Sequence, residues 1–548
     1  MKQNTYLFLF ILLVFVLNLR LDIMLVDAAQ YANISLEMLR TNSYLEVYDQ
    51  GNDYLDKPPM LFWLSAFSMK IFGVSSWAYK LPSLLILILG IYSLYKLAKN
   101  WYNEETSQLA ALLLCFNNAW LLMTNDVRTD GILSGFILFS IWQLIEFSKT
   151  KKWFYFMGAT IGIAAAMMSK GPIGLVIVGM AVGFHWIVMK DWKAIFNWKW
   201  ILMLVIVGIL LAPMLYGLYL QFDLHPEKEV YNLNGPSGIL FFFYTQSFGR
   251  ITGDIYWNNH TTWHFFFDTM AWDMQPWFHL FLIAFIFRIA SIVKSRFRFE
   301  PNTEYVSLFG FILPLLALSA SRFKLPHYIY PIFPFAALIT ADFLCNKLPS
   351  YHTLFKGIKV FQFVLNMILL TIMGVGFFII FTPSIISVFV FVLGLFGYIF
   401  LYLQSNLLNL KWYHSHFFAF GIFGLLMSIY FYPNLLSYQF SSQMGKDLAS
   451  KQYEGKSIYR YGINDRSFSF YTQNRIPEIM PTEIKNLPSG AILAATAESL
   501  QGMDTLIQAE FDTLVTYNNF PVTQLTTSFI FKKSREEILK KAYLLIKK

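Results

Sequence analysis

Long apolar segments recur along most of this chain and restrict its fold more than any other feature. An α-helix needs about 17 to 25 predominantly apolar residues to cross a bilayer, and about thirteen segments of that length are present. They occupy residues 6–26, 81–98, 107–123, 131–147, 153–168, 173–189, 200–220, 278–293, 305–320, 328–344, 360–381, 384–403 and 417–432. The sequence therefore predicts a polytopic α-helical membrane protein with about thirteen transmembrane helices, the first of them uncleaved.

The overall composition excludes other classes. Of the 548 residues, 56% are hydrophobic and 14% are charged, whereas a water-soluble domain carries about 25% charged residues. The formal net charge of +9 comes from Lys and Arg scattered among short loops, so we expect no nucleic-acid partner. Cys115 and Cys345 lie in apolar stretches. They are predicted to be packed side chains, with neither a disulfide nor a cysteine-based zinc site.

Basic residues concentrate in alternate loops. These loops include residues 96–99, 149–152, 190–199, 294–298 and 347–359. Because cytoplasmic loops are enriched in Lys and Arg, we predict that these loops and the N-terminus are cytoplasmic. The opposite loops, which include a first outer loop at 27–80 with amphipathic helices and a long outer loop at 221–277, would then be extracytoplasmic.

Charged residues are few in these outer loops, and Asp56 and Lys57 stand side by side in one of them. Two prolines follow, and their rings fix φ and remove two backbone donors. The pair is therefore predicted to lie on a rigid, extended turn just before the apolar run that resumes at Leu61. A solvated loop tip with a helix-starting Pro-Pro is the alternative.

Two further carboxylates, Asp27 and Asp130, lie at the same predicted surface. Asp27 ends the first apolar run, and residues 31–38 after it have the apolar spacing of a helix that could lie flat on the membrane. Each acid could cap the helix that follows it. Each could instead act as a general base at membrane depth, or join another carboxylate in sharing a proton or binding a cation.

Five cations lie in the outer loops, although Lys and Arg normally concentrate in cytoplasmic loops. They are Lys57, Arg128, Lys170, Arg322 and Lys324. Turn chemistry with snorkelling side chains is one explanation. The phosphate of a lipid headgroup would explain all five together. If a lipid-linked sugar were the donor, such cations would stabilise the charge that develops on its leaving phosphate. A carboxylate on the other side of the sugar would deprotonate the acceptor and give inversion.

A metal site is a further hypothesis. His260 and His264 lie four residues apart in the long outer loop, and two histidines at this spacing can bind one metal if the segment is helical. Solvated or stacked loop histidines are the alternative. Asp56 with His260 is a second possible pair for a divalent metal, either zinc or magnesium.

The composition changes near residue 441. Charged residues become frequent, short alternating runs appear at 457–461, 491–495 and 513–517, and a Lys-rich end at 535–548 is predicted to be helical. We predict that a transmembrane domain, residues 1–440, is followed by a small extracytoplasmic soluble α/β domain, residues 441–548.

Several outer-face motifs occur in order with apolar segments between them. They are Asp27-Ala28-Ala29-Gln30-Tyr31, Asp56-Lys57-Pro58-Pro59-Met60, Arg128-Thr129-Asp130, Ser169-Lys170-Gly171-Pro172 and Lys324-Leu325-Pro326-His327-Tyr328. Through them, roughly residues 1 to 345 resemble the GT-C membrane glycosyltransferases. The bacterial group with the lipid A aminoarabinose transferase and the dolichyl-phosphate-mannose-protein mannosyltransferase relatives is the most similar. The resemblance implies the GT-C fold, the bacterial inner membrane and an active site facing the periplasm.

The resemblance also implies roles for individual residues. Asp27 matches the catalytic carboxylate, Asp130 matches a second acid, and Lys57 matches a lysine that contacts the donor phosphate. Asp56 stands where many relatives have a glutamate that can bind zinc with a loop histidine, for which His260 is the counterpart. Donor-phosphate contacts are expected from Arg128, Lys170, Arg322, Lys324 and Tyr328, and substrate binding from Tyr31.

Two departures from the family pattern lie beside Asp27. Ala28 stands where the family often has a second acid, and Gln30 replaces a frequent arginine. A two-carboxylate arrangement at that point is therefore lost.

Together these features predict an inverting glycosyltransferase that moves a sugar from a polyprenyl-phosphate carrier to an extracytoplasmic acceptor. The acceptor would be a glycolipid such as lipid A, another glycan or a protein, and membrane lipids would surround the enzyme. A transporter or flippase for lipid-linked sugars is the first alternative, although it would place charges near the middle of the bilayer. A non-catalytic membrane scaffold is the second.

Overall fold

The computed structural model describes residues 2–246, 249, 259, 261–300, 303–501 and 509–548. These residues form a bundle of helices that carries a small sheet at one end. The first eight helices are α1 (Lys2–Asn18), α2 (Asp27–Thr41), α3 (Met60–Phe72), α4 (Ser76–Ala98), α5 (Glu104–Cys115), α6 (Asn118–Met123), α7 (Thr129–Thr150) and α8 (Trp153–Lys170).

The later helices are described by their bounds. The α-helical ones are Ile173–Val178, Phe184–Val188, Trp192–Ile195, Lys199–Leu218, Gly238–Leu240, Phe265–Asp273, Phe278–Lys294, Val306–Ser319, Phe333–Asp342, His352–Ile380, Ile385–Leu403, His414–Leu426, Tyr432–Leu436, Phe440–Leu448, Arg466–Tyr471, Ala497–Gln501, Thr527–Ile530 and Lys532–Ile538. Wider π-helical turns are Gly179–Gly183, Tyr219–Asp223, Phe241–Thr245, Phe343–Lys347 and Met427–Phe431. Tighter 3₁₀ turns are Pro326–Ile332, Leu348–Ser350, Lys451–Tyr453 and Ile484–Asn486.

Seven helices in the described part of the chain are long and apolar enough to cross a membrane. They are Ser76–Ala98, Thr129–Thr150, Trp192–Asp223, Pro326–Ser350, His352–Ile380, Ile385–Leu403 and His414–Leu436. Shorter apolar helices are Gln3–Asn18, Met60–Phe72, Ile173–Val188 and Val306–Ser319. The figure of about thirteen crossings stays a prediction.

The first helix is shorter than the apolar segment 6–26 predicted, because α1 ends at Asn18. The buried Lys80 ammonium accounts for this end. It donates to the carbonyl oxygens of Asn18 at 3.2 Å and Leu21 at 2.9 Å. The last carbonyls of a helix have no partner within the helix, so the lysine stabilises the bend that follows. The same ammonium donates to Asn125 Oδ1 at 2.8 Å, which ties this bend to the loop before α7.

The segment 107–123 is also divided, into α5 and α6. Asn117 lies between them, and its Oδ1 accepts a hydrogen bond at 2.9 Å from the backbone N–H of Trp120. This is the N-cap contact that starts a new helix. Cys115, at the end of α5, is buried and free, and Cys345 is free as well.

Helix α2 contains the predicted helical residues 31–38, and its position relative to the membrane surface stays a prediction. Most of its residues are buried, among them Tyr31, Ile34 and Met38. It packs against α3 on one side and against the helix Arg466–Tyr471 on the other. Its apolar face is therefore covered by protein.

The basic loops meet at one end of the bundle, which we call the basic end. Lys149 Nζ donates to the Asn100 carbonyl oxygen at 3.0 Å and lies 4.6 Å from the centre of the Trp101 ring. The Tyr102 hydroxyl lies 3.5 Å from Glu304 Oε2. The loops that follow α4, α7 and the helix Phe278–Lys294 thus share one end. The cytoplasmic side of this end stays a prediction from charge alone.

The last hundred residues carry the largest sheet. Two short hairpins precede it in the chain, β1 (Tyr48–Asp49) with β2 (Asn52–Asp53), and β3 (Glu229–Val230) with β4 (Leu233–Asn234). The sheet itself contains β5 (Ile458–Tyr461), β6 (Ile492–Thr496), β7 (Phe511–Asn519) and β8 (Lys540–Lys547), in the order β5-β6-β8-β7. β5 and β6 are parallel, and β8 is antiparallel to both of its neighbours.

The prediction of a helical end at 535–548 is wrong for most of its length. Only the helix Lys532–Ile538 overlaps it, and β8 follows. Ala542 and Leu544 are fully buried against the neighbouring strands. This alternate burial outweighs the helix propensity of the flanking lysines. The three shorter runs are strands, as predicted. The boundary at residue 441 and the soluble character of this region stay predictions.

Side chains from residue 439 onward hold the bend between α1 and α2. The Tyr471 hydroxyl accepts a hydrogen bond from the Ile23 backbone N–H at 2.9 Å. The Gln439 side chain accepts from the Leu25 N–H at 3.1 Å and donates to the Ile23 carbonyl oxygen at 2.9 Å. The backbone just before Asp27 is therefore fixed by residues more than 400 positions away in the chain.

Candidate active site

Asp27 and Arg128 begin the candidate site. Asp27 is the first residue of α2, and its Oδ2 accepts a hydrogen bond from the guanidinium of Arg128. Arg128 lies just before α7 and also donates from Nε to Asp126 Oδ2 at 2.7 Å. Burial alone would lower the pKa of Arg128, but the Asp126 and Asp27 carboxylates outweigh burial and raise this pKa. The guanidinium therefore bridges two carboxylates from separate elements.

The contacts continue to Asp130 and Lys170. His327 Nδ1 lies 3.4 Å from Arg128 Nη1, and His327 Nε2 lies 3.8 Å from Asp130 Oδ2. Lys170, the last residue of α8, donates from Nζ to Asp130 Oδ1. The same ammonium lies 3.8 Å from the centre of the Tyr328 ring, a cation–π contact.

These contacts form one continuous cluster, which we call the network. It consists of Asp27, Asp126, Arg128, Asp130, Lys170 and His327. Three carboxylates stand against one guanidinium and one ammonium, so the network carries a surplus acid when His327 is neutral.

The structure decides between the two interpretations of Asp27 and Asp130. Neither α2 nor α7 has a side-chain cap at its N-terminus. The Asp130 carboxylate is 2% exposed and pairs with Lys170, while the buried Thr129 hydroxyl has no hydrogen-bond partner among the described residues. The capping alternative is therefore wrong for both acids. Asp27 also keeps a 34% exposed side chain, which leaves it accessible to a ligand.

Asp56 and Lys57 form the second part of the site, which we call the pair. Lys57 Nζ donates to Asp56 Oδ2 at 2.7 Å, and the lysine side chain is only 9% exposed. The Gln246 amide donates to the Asp56 backbone oxygen. The two prolines lead directly into α3. The prolines therefore start a helix, as the alternative expected, whereas the low exposure of Lys57 contradicts a solvated loop tip.

A small cleft adjoins Lys57. Apart from this lysine, its lining is mainly apolar and includes Met214, Leu218 and Phe241. A single cation beside apolar side chains matches the two parts of a lipid phosphate, a charged head and a hydrocarbon chain.

Tyr31 joins the network to the pair. Its side chain is buried on α2. Burial is the main reason that the pKa of its hydroxyl lies well above its usual value. The Asp27 and Asp56 carboxylates raise this pKa further, against the opposing effect of Arg128. The Tyr31 ring also packs 5.6 Å from the Phe62 ring of α3, the helix that directly follows the pair, so Tyr31 lies between the two parts.

The two remaining predicted cations, Lys324 and Arg322, are not members of the network. Lys324 is buried, and its Nζ donates to the carbonyl oxygens of Thr262 at 3.2 Å and Thr261 at 3.5 Å. Its backbone N–H donates to Asn259 Oδ1 at 3.2 Å. Arg322 is exposed. The described contacts do not bring either residue into the network.

The metal hypothesis falls partly on His260, which lies outside the described residues. The other half of the predicted histidine pair, His264, contacts Asp268 Oδ2 at 2.5 Å on the exposed surface. Within the described ranges, no group of three or more His, Cys, Asp or Glu side chains could hold a metal ion. Metal binding by Asp56 and His260 stays a prediction.

Two members of the network were missed as site residues, Asp126 and His327. The sequence did contain a signal for each, because Asp126 stands two residues before Arg128 and His327 stands just before Tyr328. Both flank residues that the motifs had singled out. The contact of Asp126 is local, whereas the contacts of His327 with Arg128 and Asp130 join distant segments, which spacing along the chain does not reveal.

Comparison with solved structures identifies the class to which this fold belongs. The crystal structure of ArnT from Cupriavidus metallidurans bound to undecaprenyl phosphate matches 99% of this chain and 98% of that chain, with a TM-score of 0.68 and 17% identity. The apo structure of the same protein matches with a TM-score of 0.67. The fold is therefore the GT-C fold.

Sequence comparison finds similar proteins. Residues 56–216 match the model of the dolichyl-phosphate-mannose-protein mannosyltransferase family. An uncharacterized protein of Aquifex aeolicus is 26% identical over 318 residues, 58% of each chain. Undecaprenyl phosphate-alpha-4-amino-4-deoxy-L-arabinose arabinosyl transferase 1 of Pseudomonas fluorescens is 25% identical over 354 residues, 62% of this chain and 59% of the relative.

These findings confirm the resemblance to the GT-C membrane glycosyltransferases of the aminoarabinose transferase and mannosyltransferase group. The matched segments span less than two thirds of the length of these two relatives.

Proposed function

We propose that this protein is an inverting glycosyltransferase that takes a sugar from a polyprenyl-phosphate carrier and transfers it to an extracytoplasmic acceptor. The observation that carries the proposal is that Tyr31 of α2, the helix that begins at Asp27, packs on α3, the helix that follows the pair. The partly exposed Asp27 carboxylate and the lysine beside the apolar cleft thus belong to two packed elements.

Asp27 has the geometry of a general base. Arg128 holds its Oδ2, whereas its Oδ1 has no hydrogen bond among the described residues. Because the guanidinium is itself fixed by Asp126 at 2.7 Å, the carboxylate is oriented before the acceptor arrives. Asp27 Oδ1 would take the proton from the hydroxyl or phosphate of the acceptor. The acceptor oxygen that loses this proton attacks the sugar at the same time.

Lys57 has the setting of a donor-phosphate ligand. Its ammonium would stabilise the charge that accumulates on the phosphate oxygen as the bond to the sugar breaks. The adjacent apolar cleft would accept the first part of the polyprenyl chain. Since the network carries a surplus acid, the anionic donor is expected to approach from the pair. The acceptor would then approach Asp27 from the opposite face of the sugar, which gives inversion.

The relatives support a bacterial inner membrane location and a lipid-phosphate donor. The relative in Pseudomonas fluorescens is named for an undecaprenyl phosphate aminoarabinose, and the solved ArnT structure contains undecaprenyl phosphate. We propose a glycolipid such as lipid A as the acceptor, with another glycan or a protein as further possibilities. We propose that the site faces the periplasm, because the basic loops gather at the other end of the bundle. Zinc or magnesium at Asp56 and His260 remains part of the proposal.

The test is mass spectrometry of envelope glycolipids and glycoproteins from cells that lack the gene and express one of three forms. The wild-type form should add a mass corresponding to one sugar. Asp27→Asn should lower this product about 10²- to 10⁴-fold, the usual contribution of a general base, at unchanged protein abundance. Asp53→Asn is the matched control, because Asp53 is an acid of the same outer loop that pairs with Lys228 at 3.0 Å.

Product formation by Asp27→Asn at the wild-type level would refute the assigned base. Movement of a lipid-linked sugar across sealed vesicles, with no new covalent product, would favour the transporter instead.

A further inference from the structure

A large cavity lies at the basic end, far from the candidate active site. Its volume is about 580 Å³. The helix Phe278–Lys294 and the helix that ends at Asp342 form its walls, together with the segment after α4. Aromatic side chains line it as well, including Trp101, Tyr102, Tyr305 and Tyr351. Nothing in the proposed transfer reaction uses this space.

The charges of the cavity are arranged by depth. At its buried part, Arg288 lies 3.7 Å from Asp342 Oδ2 and 3.9 Å from Glu304 Oε2. Glu304 is already satisfied by the Ser307 hydroxyl at 2.7 Å. Asp342 accepts from the Asn346 amide at 2.9 Å. The buried acids therefore have partners within the protein.

Arg288 is not fully satisfied by these acids. Its guanidinium donates to the Glu304 backbone oxygen, but its buried Nε–H has no hydrogen-bond partner among the described residues. A buried donor without an acceptor is costly. An oxygen-rich anion in the cavity would supply the missing acceptor.

Three further cations line the cavity where it is exposed: Lys294, Arg298 and Lys347. None has a hydrogen bond or ion pair from its side chain within the described ranges. One acid, Glu300, accompanies them. The exposed opening of the cavity, which we call the mouth, is thus cationic. It leads inward to the Arg288 guanidinium, whose Nε–H has no hydrogen-bond partner among the described residues.

The surface beside the mouth is apolar. Ile286 is 63% exposed and Val293 is 53% exposed, and they lie seven residues apart on one face of the same helix. Phe297 follows at 67% exposure. Such a surface suits acyl chains, whereas a water-soluble anion would need only the charges.

We propose that this cavity binds the phosphate headgroup of an anionic phospholipid in the membrane leaflet opposite the candidate active site. The cations at the mouth attract the phosphodiester, Arg288 donates to it, and the acyl chains run along the helix beside Ile286 and Val293. Basic pockets between membrane helices at the cytoplasmic side are suited to such headgroups.

The test is native mass spectrometry of the purified full-length protein with phosphatidylglycerol as the probe and phosphatidylethanolamine, a zwitterion of zero net charge, as the comparison. The variant is the triple substitution Lys294→Gln, Arg298→Gln and Lys347→Gln. Each cation near a membrane surface contributes roughly fivefold in affinity, so phosphatidylglycerol should bind at least about tenfold more weakly. The control carries Lys152→Gln, Lys193→Gln and Lys356→Gln, three exposed lysines of basic loops that do not line the cavity. It should bind within twofold of the wild type.

A second variant tests the cavity without a change of charge. Ser291 is exposed and lines the cavity, so Ser291→Trp should obstruct it and weaken phosphatidylglycerol to a similar degree. Equal losses in the triple variant and its control would overturn the proposal, as would equal binding of the two lipids. Full displacement of phosphatidylglycerol by inorganic phosphate at about 10 mM, which is tenfold above a Kd of about 1 mM, would show a site for soluble anions instead. Since binding is measured in place of transfer, the result is independent of the proposed enzymatic function.

Discussion

The network and the pair both hold charged side chains near the membrane, but they take these side chains from different kinds of segment. The network draws its members from the ends of α2, α7 and α8 and from the turn that contains His327. The pair consists of two adjacent residues on a turn that prolines make rigid. The difference suggests that network residues depend on one another across the fold, whereas Lys57 can be changed with little effect on the rest of the structure.

The largest effect after Asp27 is expected at Lys57. Lys57→Ala should lower sugar transfer about 10²- to 10³-fold, because it removes one charge-stabilising donor. The melting temperature should stay within a few degrees of the wild type, since the turn keeps its prolines. Lys57→Arg should recover part of the activity, and Lys228→Ala, which removes the partner of Asp53, serves as the control. If activity and melting temperature fell together, the pair would be part of the structural framework.

The interdependence of the network can be measured with a double-mutant cycle of Asp130→Asn and Lys170→Met. The Asp130 and Lys170 side chains are 2% and 11% exposed. Removing one partner of such a buried pair costs about 3–5 kcal/mol, and the double variant should lose clearly less than the sum of the two. Chemical unfolding in detergent gives the free energy of unfolding of the two single variants and of the double variant, each relative to the wild type.

The corresponding cycle at the pair uses Asp56→Asn and Lys57→Met. The Asp56 side chain is 23% exposed, so solvent screens the interaction and the coupling should be near 1 kcal/mol. Equal coupling energies in the two cycles would show that the network residues depend on one another no more than Asp56 and Lys57 do.

The smallest effect concerns a carboxyl that belongs to neither part. Asp273 is 6% exposed, and its Oδ2 has no hydrogen-bond partner among the described residues. Burial raises the pKa of this carboxyl to about 7. The folded protein therefore holds a proton that the unfolded chain releases near pH 4, so the free energy of unfolding falls as the pH rises from about 4 to 7.

Asp273→Asn removes this dependence on pH. Its melting temperature should exceed that of the wild type by several degrees at pH 8 and by much less at pH 5. Thermal unfolding at the two pH values measures the difference. Transfer activity at pH 5 should be unchanged. A constant difference between the two pH values would mean that Asp273 is not the group that titrates.

The sequence indicated much of this site because its chemistry lies in short motifs at helix ends. Lys170 was recognisable as a cation on the disfavoured side of the apolar segments, and Asp27 and Asp130 as carboxylates at the same surface; the folded chain brings them together with Tyr328. The contacts of Lys324 were less predictable. Its ammonium is directed to the carbonyls of Thr261 and Thr262, and a motif does not specify the direction of a side chain.

The errors in the fold have non-local causes. The end of α1 depends on Lys80, which is 62 residues away from Asn18 in sequence. The strand β8 is paired on both sides, and its lysine-rich composition resembles a helix until those neighbours are known. Hydropathy finds apolar segments reliably, but it contains no information about partners that arrive from distant parts of the chain.

The hydrogen bonds of Tyr471 and Gln439 to the bend at Ile23 and Leu25 make the chain from residue 439 onward a support for the carboxylate that follows. Loss of these hydrogen bonds would leave every proposed reacting group present and still loosen the segment that orients Asp27. Regulation, proteolysis or a bound acceptor that displaces this segment would therefore change the orientation of Asp27 without contacting the reacting groups.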